Sequence, residues 1–115
     1  MSYTLSFWSG DDAADCMDTY RRLNTGERVE HVALVDKAGV ERALSGIDGW
    51  RWSQSLLYPP GSHLEGSPVF DIFVDTQAVT CTGYGVEAAD INTVIDVMRE
   101  LGFRLYDPQT NERFA

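Results

Sequence analysis

Two histidines, two cysteines and a few neighbouring carboxylates are the residues of this 115-residue chain most suited to chemistry. Neither His31 nor His63 has a ligand partner of the usual metal type at i+3 or i+4. A metal site made from His63, Glu65 and Asp71 is imaginable, but histidines on loops are more often just solvated. Asp71 and Asp75 are read as neighbours on one face of a predicted strand, about 7 Å apart by strand rise, and paired carboxylates can do general acid–base work. Charges on the solvent side of an edge strand are commoner, because they blunt edge-to-edge aggregation. Cys16 and Cys81 could form a nucleophilic or redox pair, but no histidine stands beside either in the sequence. The plainer reading is two reduced, buried thiols. Gly83-Tyr84-Gly85 lacks the third glycine and the context of a dinucleotide site, and there is no Gly-x-Ser-x-Gly and no P-loop. No catalytic residue, metal or cofactor is therefore predicted.

The aromatic residues carry more signal. Trp50, Trp52 and Tyr58 lie in an irregular stretch beside Pro59-Pro60-Gly61. They either cap an open end of the core or anchor an interface, since Trp and Tyr dominate binding hot spots. The binding surface predicted from the sequence is Trp50, Trp52, Tyr58, His63, Glu65, Asp71 and Asp75. On this reading, Trp50→Ala or Trp52→Ala leaves the fold nearly intact and costs about 2 kcal/mol or more of binding. The alternative is a small enzyme or ligand-binding domain with a pocket between the sheet and the 50–68 loop, using Tyr58, His63, Asp71 and Cys81.

Composition narrows the partner. The net charge is −9, with 18 acidic residues against nine basic ones. Such a surface repels phosphate backbones, which disfavours nucleic acid. It suits solubility or a basic protein partner drawn in by long-range attraction. Hydrophobic content of 43% and charged content of 23% are those of an ordinary globular domain. The length predicts one domain over 1–115. The opening Met1-Ser2-Tyr3-Thr4-Leu5 lacks the basic and apolar regions of a signal peptide, and no apolar run approaches a membrane span. The expected compartment is the cytoplasm, with the chain a monomer or homodimer.

The elements that must position these residues are legible from periodicity. Tyr3, Leu5 and Phe7 alternate with Thr4, Ser6 and Trp8 as a strand does. Ser9-Gly10-Asp11-Asp12 breaks it and offers N-cap oxygens to a helix striped by Ala13, Cys16, Met17, Tyr20 and Leu23. Residues 27–35 have no clear period and read as a connection. Asp36 can cap a short helix facing inward with Val40, Ala43, Leu44 and Ile47. Residues 50–68 read as a short strand followed by an exposed loop. Val69–Asp75 and Ala78–Tyr84 are strong strands, and the turn between them lacks the Asn-Gly signature. Ile91, Val94, Ile95, Met98 and Leu101 mark a helix ended by Gly102, with Phe103–Tyr106 a final strand. Glu112-Arg113-Phe114 can run back along the sheet edge.

The predicted fold is α+β. It is a ferredoxin-like β-α-β-β-α-β unit with an extra short helix and an irregular insertion, its mostly antiparallel sheet covered on one face by helices. Strands 3–8 and 78–84 fall at the centre. A different sheet order, with 50–57 as an added strand, is the alternative.

The run Leu101-Gly102-Phe103-Arg104-Leu105-Tyr106-Asp107-Pro108-Gln109 resembles the ending of small uncharacterised bacterial proteins. Many of these look like immunity proteins and cluster with secreted-toxin loci. The opening Tyr3-Thr4-Leu5-Ser6-Phe7-Trp8 is similar to theirs as well. The resemblance covers the two ends of the chain, about half of it, and residues 27–68 take no part. It implies a non-enzymatic cytoplasmic protein that neutralises a cognate toxin, and it carries no catalytic residues across.

Overall fold

A computed structural model describes residues 2–10, 15–61 and 68–114. The order is β1 (Ser2–Trp8), α1 (Cys16–Asn24), α2 (Lys37–Ser45), β2 (Arg51–Ser53), β3 (Leu56–Tyr58), β4 (Val69–Val74), β5 (Val79–Tyr84), α3 (Ala88–Glu100), β6 (Arg104–Asp107) and β7 (Glu112–Arg113). The fold is α+β, with three helices and a seven-stranded sheet among the described residues, ordered β2-β3-β4-β5-β1-β6-β7. Every strand pair is antiparallel. β1 and β5 pair from Ser2↔Tyr84 to Phe7↔Val79 in the middle of the sheet, where the crossover argument puts them.

Strand alternation sorts the apolar side chains onto two faces. Leu5 and Phe7 of β1, Phe70 and Ile72 of β4, Val79 and Cys81 of β5 and Leu105 of β6 line the inner face. Val40 and Leu44 of α2 and Val94 and Met98 of α3 cover them, all essentially buried. Trp8 and Tyr106, one residue along from Phe7 and Leu105, point the other way. They form a second cluster with Leu23, Val29, Val32 and Ala78, against which Cys16 and Tyr20 pack.

This corrects the expected layering. The helices do not all lie on one face: α2 and α3 share the inner face, while α1 covers one end of the outer face. The short helix, an extra in the expected fold, takes the place beside α3. The physical reason lies in Trp8. A strand that carries large apolar side chains on both faces at its end needs cover on both.

Local chemistry explains the ends of the elements. α1 is capped by Asp15, whose carboxylate accepts from the Met17 N–H at 3.0 Å and the Asp18 N–H at 3.4 Å. The expected cap around Ser9–Asp12 gives way to this one; Asp11, Asp12 and Ala13 lie outside the described residues. Asp36 caps α2, as expected, by accepting from the Gly39 N–H at 3.2 Å. α3 ends as its sequence predicts. Gly102 adopts φ +91°, the Phe103 N–H reaches the Met98 carbonyl and the Gly102 N–H reaches that of Arg99, both at 3.0 Å. Leu101, at this cap, is exposed rather than part of the buried stripe.

The 50–58 stretch differs from expectation. It forms a hairpin, with Arg51↔Tyr58 and Ser53↔Leu56 paired. Gln54 and Ser55 both take positive φ, 49° and 69°, the two-residue primed turn that matches strand twist. Neither residue advertises such a turn, so only one strand was visible in the sequence. β3 then pairs with β4, Leu57 opposite Phe70.

The connection at 27–35 is held by a side chain. Gln77 is buried, and its carboxamide acts as a surrogate peptide. Its Oε1 accepts from the Val29 N–H at 2.8 Å, and its Nε2 donates to the Val29 and Val32 carbonyls at 2.7 and 2.9 Å.

Candidate functional site

The residues nominated from the sequence are distributed over both faces of the sheet. Trp50 and Trp52 are half-buried and pack on the main core. The Trp50 ring stacks on Phe70 with centroids 6.0 Å apart. Trp52 lies opposite buried Leu57, and therefore on the inner face. Tyr58 lies on the other face, with the Arg51 guanidinium 4.2 Å above its ring. Asp71 is exposed on that same outer face, opposite Thr82 and Leu56. Asp75 is half-buried past the end of β4, where its carboxylate accepts from the Thr76 N–H. His63 and Glu65 lie outside the described residues, and so does any metal set built on them. Among the described residues, no group of three His, Cys, Asp or Glu is placed to hold a metal ion.

Two chemical readings are corrected by this geometry. Asp71 and Asp75 are four residues apart, about 13 Å along an extended strand, so they cannot work as a paired acid and base. Cys16 and Cys81 belong to different clusters on opposite faces of the sheet, so they cannot form a redox pair. Cys81 is also fully buried, and burial pushes its thiol far above its ordinary value. A thiol so held is inert. Because it faces inward, it cannot line a pocket with Tyr58 or Asp71. The hollow beside the 50–61 segment, formed by Gly49, Arg51, Tyr58 and Pro59–Gly61, is open and contains neither aspartate nor Cys81.

The outer face is unevenly covered. At the β1–β6 end, α1 and the 29–32 segment bury Trp8, Ser6 and Tyr106. Moving across to β5, Thr80 and Thr82 are half-buried. On β4, Asp71 is exposed and Phe73 is 63% exposed. Tyr84, at the far end of β5, is 45% exposed. β4 and β5 are interior strands, so exposed aromatics there mean that no described helix packs over this part of the sheet. A surface bearing Phe73, Tyr84, Asp71 and a row of threonines results. The sequence signal for it was present: Phe73 shares the parity of Asp71, opposite to that of Phe70 and Ile72.

A second arrangement joins the two ends of the chain. The Tyr3 hydroxyl donates a short hydrogen bond to the Asp107 carboxylate. The Gln109 N–H and carboxamide also donate to Asp107, at 2.9 and 2.5 Å. The same carboxamide pairs with the Thr4 backbone, accepting from its N–H at 2.9 Å and donating to its carbonyl at 2.8 Å. Tyr106 closes the turn by donating to Asn111 at 2.7 Å. Burial pushes the Asp107 carboxyl up, but donation from Tyr3, Gln109 and the Thr110 backbone outweighs it and holds the group below its ordinary value. Tyr3 is pushed up to about 12 by the hydrogen bond to Asp107, with burial and the Asp107 charge adding to it. The Asp-Pro-Gln ending thus has a structural task, clasping the last turn to β1. Sequence reasoning missed this cluster because its members are about a hundred residues apart.

No family model, curated protein or solved structure matches this chain.

Proposed function

We propose that this chain is a non-enzymatic binding protein of the immunity type, which engages a basic protein through the open outer face of β3–β5. The observation that carries the reading is an exposed Phe73 on an interior strand, beside exposed Asp71, in a chain of net charge −9. Large aromatics left in water on a sheet centre mark interaction surfaces. The acidic surroundings select a cationic partner and speed its approach. The resemblance of the two chain ends to immunity-type proteins agrees with a toxin as that partner. Trp50 and Trp52 support the surface from beneath by fixing the β2–β3 hairpin. Within the same reading, β4, β5, β1 and β6 keep the split βαβ plan, supported by their order in the sheet and by α2 and α3 on one side of it.

The test is capture from a lysate of the source organism on immobilised wild type and on Phe73→Ala in parallel. The expected result is one basic protein that binds the wild type stoichiometrically, elutes as salt rises, and is depleted on the variant. Equal capture by both would remove the assigned face.

A further inference from the structure

We propose that the groove between α3 and the inner face of β1 and β6 binds a small amphipathic anion, a carboxylate carried on an apolar body. The groove encloses about 420 Å³, within the range of about 300–1,000 Å³ usual for small-ligand sites. Its walls are Leu5, Leu105, Ile91 and Ile95. The two leucines at its base are buried, while the isoleucines keep part of their surface open. Phe114, 41% exposed, stands at the edge.

The polar groups decide the sign of the ligand. Asp107 lines the groove, but the residue is buried and its carboxylate already accepts from Tyr3 and Gln109. Those donors take up its lone pairs and offset part of its charge. Tyr3 stays protonated and spends its proton on Asp107, so it adds no charge. Among the described residues, Arg99 is the one cation lining the groove. It is exposed, and neither ion pair formed among the described residues includes it. Asp96 and Glu100 flank it on the helix surface but do not line the groove. A guanidinium at the mouth of an apolar trough fits a carboxylate head with a hydrocarbon body, since the planar fork pairs with carboxylate oxygens two at a time.

The groove lies on the helix-covered side of the sheet, away from Phe73, so this proposal stands or falls separately from the protein-binding face. The test is a methyl-resolved NMR titration of the full chain with octanoate, octanol and octylamine. Octanoate is expected to give saturable shifts at Leu5, Ile91, Ile95 and Leu105, with about tenfold tighter binding than octanol and weaker binding still for octylamine. Arg99→Gln should bring octanoate down to the octanol level and leave octanol unchanged. Absent or non-saturable shifts in these methyls, octylamine binding as tightly as octanoate, or octanoate affinity unchanged in Arg99→Gln would each overturn it.

Discussion

Single side chains carry much of the long-range order in this chain. The bond from Tyr3 to Asp107 is the clearest case, because it fixes both the buried carboxylate and the C-terminal turn. Tyr3→Phe leaves that carboxylate short of a donor and should cost about 1–3 kcal/mol at neutral pH. The pH dependence follows from the signs. The folded value of Asp107 lies below the ordinary 3.8, so its contribution is present above that value and is lost as pH falls through the folded value. The difference between wild type and Tyr3→Phe should therefore be largest above about pH 4 and shrink below it. Tyr3 has the opposite sense. Its folded value is raised from 10.0 to about 12, so wild type loses stability over that interval, and Tyr3→Phe should lose less. Denaturant melts followed by circular dichroism from pH 2 to pH 12 read both effects. Gln77 offers a second test. Gln77→Ala strips three buried backbone groups of their partner and should cost about 3 kcal/mol. A loss below about 0.5 kcal/mol in urea melts would mean that water takes over the task.

Among the elements, those announced by both periodicity and caps were readable in advance. α3 has its apolar stripe, its acidic first turn and Gly102, and it folds as its sequence indicates. β1, β4 and β5 alternate cleanly and pair as long strands. The β2–β3 hairpin was half-visible because Gln54-Ser55 occupies positive φ without glycine or asparagine. The role of α1 was hidden for a different reason. An amphipathic stripe says that a helix has a buried face, not which face of the sheet it meets, and only Trp8 and Tyr106 on the outer side decide that. Of the nominated site, Asp71 lies on a solvent face, whereas both tryptophans are half-buried and pack on the main core. Trp50→Ala should therefore lower stability by about 2 kcal/mol through lost stacking on Phe70, besides any effect on binding. Thermal unfolding of that variant, compared with Phe73→Ala, separates a supporting side chain from a contacting one. Phe73→Ala should stay within about 0.5 kcal/mol of wild type.

For the whole molecule, charge and cover decide what can dock. The sheet ends in strands of three and two residues, β2 and β7, and short edges resist pairing with another copy. Light scattering should accordingly give a mass near 12.8 kDa, and a stable dimer would contradict that expectation. No helix among the described residues is long and apolar enough to cross a membrane. The surplus of acidic residues attracts cations from every side, so it cannot by itself choose a face; Phe73 and Tyr84 supply the choice. The most direct measurement is calorimetric titration of the captured basic protein with wild type, Phe73→Ala, Tyr84→Ala and Leu34→Ala. Leu34 is 64% exposed but lies on the 27–35 connection, and so serves as an apolar control. Phe73→Ala is expected to lose about 2 kcal/mol or more of binding, Tyr84→Ala to bind measurably more weakly, and Leu34→Ala to bind like wild type. Full affinity in Phe73→Ala, with the loss falling on Leu34→Ala instead, would contradict the assigned face.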